Sequence, residues 1–194
     1  MSVSAPRPPF VIGPPPGDRA MSTLDELVIR APVATVFAIV ADVERWPAYL
    51  AHYRWVTMCE RATDGGGIVE MAANRPFGPL DWPTWWRSEM AVDAAARTVR
   101  FRHIGGITTR MEVEWSFHPH PLGTHATLLH VWNGPDWPLV GKVAAVAVIG
   151  PVFIHGIASR TIAGLGRAAE DRAAEQADAP TVPLSTTSRV RATE

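Results

Sequence analysis

Two histidines sit in alternating apolar runs, and that placement is the first chemical signal in the chain. Val99, Phe101 and His103 share one parity, with Arg100 and Arg102 on the other. Ala126, Leu128, His130 and Trp132 share another. Residues two apart face the same side of a strand, so both histidines point inward if these runs are strands. A neutral imidazole in apolar surroundings can take or give a proton near pH 7. The plainer alternative for each is a core histidine bonded to backbone or water. Trp86, Ser88 and Met90 form a third inward set, opposite Arg87 and Glu89. Ser88 fits a hydrogen-bond donor better than a nucleophile, because no Gly-x-Ser-x-Gly elbow or Ser-His-Asp arrangement accompanies it. Met111, Val113, Trp115 and Phe117 form a fourth set, opposite Glu112 and Glu114. Trp46, Trp86, Trp115 and Trp132 can stack on a flat aromatic ligand or simply fill a core.

The elements that must hold these residues follow from periodicity. Residues 23–29 read as a strand. Val33, Val36, Phe37 and Val40 recur at helical spacing after Pro32, which suits a helix start. Pro47 limits that helix, so two short helices are expected. From Arg54 to Asn133 the period becomes two. Six strands are expected, over 55–62, 67–74, 84–92, 98–103, 109–118 and 124–133. Their separators are turn residues such as Asp64-Gly65-Gly66, Pro76–Pro79 and Gly105-Gly106. Links that short require antiparallel neighbours. Towards the C-terminus Val152, Phe153, Ile157, Thr161, Leu165 and Ala168 share one helical face. The expected class is α+β, a curved seven-stranded antiparallel sheet with a long C-terminal helix laid on it.

Composition bounds the function. The 194 residues are 47% hydrophobic and 19% charged, enough apolar material for one domain with a sizeable core. Net charge is 18 − 19 = −1, so no basic surplus exists for nucleic acid. The single cysteine, Cys59, cannot form an internal disulfide and fits a reducing, cytoplasmic setting. Residues 1–20, rich in proline, and 177–194 read as disordered tails, leaving 21–176 as the folded domain. Residues 139–158 are apolar over about the length of a membrane span. Pro151 interrupts them, so the favoured reading is a helix over an apolar cavity, with peripheral membrane contact as the alternative. No metal site is expected, since His118, His120 and His125 lack a carboxylate at ligand spacing.

The stretch Ile29-Arg30-Ala31-Pro32, Val36-Phe37 and Val40-Ala41-Asp42-Val43-Glu44-Arg45-Trp46-Pro47 resembles the start of the START-like, or Bet v 1-like, superfamily. Its polyketide cyclase/dehydrase branch is the nearest likeness. Trp86-Arg87-Ser88-Glu89, Met111-Glu112-Val113-Glu114-Trp115 and Gly123-Thr124 continue it in order, over roughly residues 22–175. The resemblance implies a helix-grip fold with a deep hydrophobic cavity. Within the aromatase/cyclase group it implies aldol closure and dehydration of a carrier-tethered poly-β-ketone, without a cofactor. An acyl carrier protein would then be a partner.

Carried over residue by residue, the resemblance makes Trp46 and Tyr53 pocket residues. Trp86, Ser88 and Met90 fall on its strand motif, and Met111 and Trp115 on a later strand. Tyr53, Ser88 and His103 are the expected catalytic group. Trp46, Trp86, Met90, Phe101, Met111 and Trp115 are expected to shape the ligand site, with His130, Trp132 and Phe153. One departure stands out: the family's pocket arginine is Met90 here. Either His103, Arg87 or Arg110 replaces it, or the protein binds without catalysing, as a carrier of a lipid or isoprenoid quinone.

Overall fold

The structure, a computed structural model, describes residues 7–77, 80–134 and 155–178. Strand β1 (Met21–Ile29) leads into helix α1 (Val33–Ala41), a single 3₁₀ turn (Val43–Arg45) and helix α2 (Trp46–Tyr49). Six strands follow: β2 (Tyr53–Arg61), β3 (Gly67–Phe77), β4 (Leu80–Asp93), β5 (Thr98–Gly106), β6 (Glu112–His120) and β7 (Gly123–Trp132). Helix α3 (His155–Asp178) comes last among the described elements. All seven strands form one antiparallel sheet, ordered β1-β7-β6-β5-β4-β3-β2.

The helix break lies earlier than proline alone predicts. Helix α1 ends at Asp42, and Pro47 falls in the first turn of α2, where no N–H is needed. The third and fourth strands are longer than their sequence suggests. Their pairing runs on to Phe77↔Leu80, through Pro76 and Pro83. Among the described strands, β3 pairs only with β4 beyond Ala73, and β4 only with β3 before Trp86. A proline is tolerated where one side of a strand carries no neighbour. The fifth strand also runs on, to Gly106, and residues 107–111 form the turn to β6. Gly106 and Arg110 take left-handed φ values of 89° and 69° there.

Register shifts at Tyr53/Trp55 and Met58/Glu60 on the edge strand β2, and at Arg87/Ser88 on the interior strand β4, interrupt the ladder, and bulges bend a sheet. The curved sheet and α3 enclose the core. Ala158, Ile162, Leu165 and Ala169 of α3 are buried in it. Gly164 allows the close approach: a Cβ there would stand 2.3 Å from Leu50 Cδ2. Glu170 Oε1 accepts from the Arg30 N–H at 2.8 Å, tying α3 to the entry of α1.

The proline-rich segment read as a tail is described from Arg7 onward. It touches the sheet. Arg7 bridges Ala62, Ile12 is buried, and Arg100 Nη1 donates to the Ile12 carbonyl at 3.2 Å. Of the apolar run 139–158, residues 139–154, including Phe153, lie outside the described residues. Among the described residues no helix is long and apolar enough to cross a membrane.

Candidate functional site

The inward faces of the strands meet α3 around an apolar cavity of about 60 Å³. Space of that size holds a few waters. Trp46 contributes from α2 and Tyr53 from the start of β2; Trp86 comes from β4, and Phe101 and His103 from β5. Met111, Val113 and Trp115 line it from β6 and its entry, and Leu128 and His130 from β7. Met71 on β3 and Ile157 and Thr161 on α3 complete the described wall. None of these lining residues carries a fixed charge.

The aromatic rings form a connected set. Trp46 meets Tyr53, Phe101 and Trp115 edge-on, with centroids 5.4, 6.2 and 6.1 Å away. Edge-to-face contacts at these distances suit the ring quadrupoles. The Trp46 indole N–H donates to the Val40 carbonyl at 3.2 Å, which anchors the ring to α1. Trp86 touches two polar rings of the wall: Tyr53 edge-on at 5.9 Å, and His103 stacked at 6.1 Å with 16° between planes. Tyr53 and His103 therefore share one wall through Trp86.

His103 is held from several sides. Its N–H donates to the Met111 carbonyl at 2.9 Å, and its carbonyl accepts from the Arg110 N–H at 2.8 Å. Its Nδ1 lies 2.6 Å from Thr108 Oγ1. The ring also borders a second, polar cleft of about 390 Å³, lined among others by Arg19, Arg102, Arg110 and Asn133. His103 is the one described residue common to both linings.

Other expected site residues lie elsewhere. Ser88 and Met90 are fully buried on the inward side of β4 but do not line the cavity. Ser88 is the register partner of His103 on the next strand. Trp132 is buried outside the wall, and its indole N–H donates to the Thr109 carbonyl at 3.0 Å. There it braces the turn that carries Thr108. Strand parity gives a face, not a depth, and these residues pack beneath neighbours on that face.

Sequence reasoning did not select Met71 or Thr161 as site residues. Thr161 had a usable signal, a hydroxyl between Ile157 and Leu165 at helical spacing. It is buried, and its Oγ1 lies 3.1 Å from His52 Nε2.

Ser88 Oγ is buried with no hydrogen-bond partner among the described residues. A hydroxyl buried without a partner costs stability. Ser88→Ala should therefore leave the urea midpoint unchanged or raise it, within about 1 kcal/mol. A loss beyond about 2 kcal/mol would show that the hydroxyl is bonded.

The family model described as polyketide cyclase / dehydrase and lipid transport matches residues 29–150. The chain belongs to this family. A Streptomyces halstedii protein named as a polyketide cyclase is 31% identical over 103 residues, 52% of this chain and 91% of that protein. Among solved structures, the Zhui aromatase/cyclase from Streptomyces sp. R1128 superposes with a TM-score of 0.67 at 17% identity. It covers 78% of this chain and 94% of its own. A START superfamily protein from Mycobacterium smegmatis gives 0.57 at 16% identity, over 80% and 98%. These two likenesses establish the helix-grip fold. The cyclase/dehydrase and lipid transport family thus supplies the scaffold on which this member's own wall residues sit.

Proposed function

We propose that the protein binds a poly-β-ketone or related aromatic polyketide in the cavity and promotes its aldol closure and dehydration. The observation that carries this reading is the wall itself. Four aromatic residues that suit a flat ligand, Trp46, Trp86, Phe101 and Trp115, stand beside the protic groups of Tyr53, His103 and His130. The named cyclase relative and the aromatase/cyclase neighbour point the same way.

The reaction needs little more than such a wall. A proton leaves a carbon flanked by two carbonyls, and the resulting enolate carbon attacks a third carbonyl of the same chain. That carbonyl oxygen gains a proton and becomes a hydroxyl. Loss of a second α-proton and the hydroxyl then releases one water and leaves a double bond. Positioned acids and bases contribute about 10²–10⁴-fold to such steps. A fixed donor at the developing enolate oxygen contributes further. His103 and Tyr53 handle protons and oxygens on one wall, and apolar surroundings keep water from competing. A carrier-bound substrate would reach this wall through an acyl carrier protein.

A cavity of about 60 Å³ is far smaller than a polycyclic ligand, so binding must displace wall side chains. Tryptophan fluorescence then reports entry. The deciding experiment feeds the purified full chain a synthetic poly-β-ketone thioester and identifies products by mass spectrometry. His103→Ala should lower cyclised product about 10²–10⁴-fold while the fluorescence-derived Kd moves less than about threefold. Unchanged product formation in that variant would remove His103 from the chemistry. The absence of fixed charge among the described wall residues also suits a second reading, a carrier of a lipid or isoprenoid quinone. A long-chain lipid or quinone found by native mass spectrometry, with no cyclisation activity, would favour it.

A further inference from the structure

An anionic group on a ligand has no place in the apolar cavity. None of the described wall residues carries a fixed charge, and an ion buried there forfeits its hydration with nothing to replace it. The polar cleft of about 390 Å³ that shares His103 with the cavity offers what the cavity lacks. Arg19, Arg102 and Arg110 line it, with Glu112 as the one carboxylate among its described lining residues.

Two of these arginines have donors to spare. A guanidinium carries five N–H donors. Arg19 Nη2 and Arg102 Nε both approach Glu112 Oε1, at 3.8 and 3.7 Å, and Arg102 Nη1 stands 3.6 Å from Glu89 Oε2. All three separations exceed hydrogen-bond reach. Among the described residues neither guanidinium has an acceptor within that reach. Two residues before Arg102 on the same strand, Arg100 shows the contrast: it donates to Glu114 Oε2 at 2.6 Å and to the Ile12 carbonyl at 3.2 Å. Arg19 Nε is also buried without a partner among the described residues. A buried donor in that state is costly, and a shift of this long side chain onto an acceptor relieves the cost.

Backbone contacts put Arg19 at the cleft. Ala20 donates its N–H to Asn133 Oδ1 at 2.9 Å, and Asn133 lines the same cleft. Further back, the Arg7 N–H donates to the Arg61 carbonyl at 3.3 Å, and Ile12 is buried. The segment before β1 therefore crosses from the end of β2 to the end of β7 and delivers Arg19 there. Residue 19 lies outside the residues 29–150 that match the family, so the family match does not account for it.

We infer that this cleft is an anion subsite, in which Arg19 and Arg102 hold a phosphate group carried by the ligand while the uncharged remainder runs alongside His103 into the cavity. A phosphate fits better than a carboxylate. One guanidinium fork fills both oxygens of a carboxylate, whereas the oxygens of a phosphate can serve two converging guanidinium groups at once. The inference rests on the reading that a ligand occupies the cavity, and on neither of its two ligand classes. The shared chemistry is a phosphate joined to a long uncharged chain. The phosphodiester at the root of a carrier's thioester arm has that form, and so does a phospholipid head group.

The test uses the full chain and two pairs of probes, titrated by calorimetry. Octyl phosphate against octanol represents the lipid source, and phosphopantetheine against pantetheine represents the carrier arm. In one pair at least, the phosphate member should bind about tenfold or more tightly, and added salt should shrink the preference. The pair that shows it names the source. In the double variant Arg19→Gln/Arg102→Gln the preference should fall below about threefold, while the Kd of the neutral member moves less than about threefold. Arg167→Gln, on the exposed side of α3, should keep the preference. A wild-type protein that prefers the phosphate member of neither pair overturns the inference, and so does a preference that survives in the double variant. Should the double variant fail to fold, the two single variants decide, each expected to lose about threefold or more of the preference. Turnover of the poly-β-ketone thioester without any phosphate preference leaves ring closure standing and removes the subsite. A phosphate preference lost in the double variant, without turnover, supports the subsite and counts against ring closure.

Discussion

Met90→Arg is expected to destabilise the protein by about 3–5 kcal/mol rather than to supply a pocket cation. The sequence resemblance places the family's pocket arginine on this residue, so the substitution is the obvious way to restore it. The structure argues otherwise. Met90 is 0% exposed and absent from the cavity wall. Its register partners are Gly67 on β3 and Phe101 on β5. Nearby inward positions are Val69, Ser88 and Val99, all fully buried and none a carboxylate. A guanidinium there would lose its water and gain no counter-charge, which is a costly burial. Domains of this kind have about 5–15 kcal/mol of stability in total, so much of it would go. Met90→Leu, close in volume, should cost less than about 1.5 kcal/mol. Urea unfolding of both variants measures the contrast. An arginine variant as stable as wild type would mean that its side chain reaches solvent or the cavity.

That prediction marks how far alternation can be read. The strands were legible because their period of two is interrupted by turn residues, and the register follows from which faces are apolar. The long helix was legible from Ile157, Thr161 and Leu165. The cavity wall was legible where an inward side chain is also the last layer before the cavity, as with Trp46, Tyr53, Trp86, Phe101, His103, Met111, Trp115 and His130. Met90, Ser88 and Trp132 have the same parity but a different depth, which is decided by bulges and by the reach of neighbouring side chains. Thr108 was not legible at all. It lies in a turn, where alternation defines no face, and that turn contains a left-handed Arg110 that sequence does not announce. The break after α1 shows a similar limit. Pro47 correctly signals two helices, yet the backbone turns at Asp42, five residues earlier in the chain.

Trp46→Ala should cost about 3–5 kcal/mol and lower the melting temperature by about 6–20 °C. The ring is 3% exposed and meets three other aromatic rings edge-on. Removing it forfeits their packing and opens a void that the surrounding sheet can only partly close. It also removes the donor to the Val40 carbonyl, so α1 loses its anchor to the following turn. Trp46→Phe keeps much of the ring packing and loses the N–H, so it should cost about half as much or less. Calorimetry of the two variants separates the packing and hydrogen-bond contributions. Ligand affinity separates a third role, because Trp46 belongs at once to the core and to the cavity wall. If Trp46→Ala loses less than about 1 kcal/mol, the ring is a ligand contact and the core closes without it. If it loses the expected amount, the Asp42-to-Trp46 turn is the fastener between α1, β5 and β6. The cavity then exists because a structural tryptophan stops short of filling it.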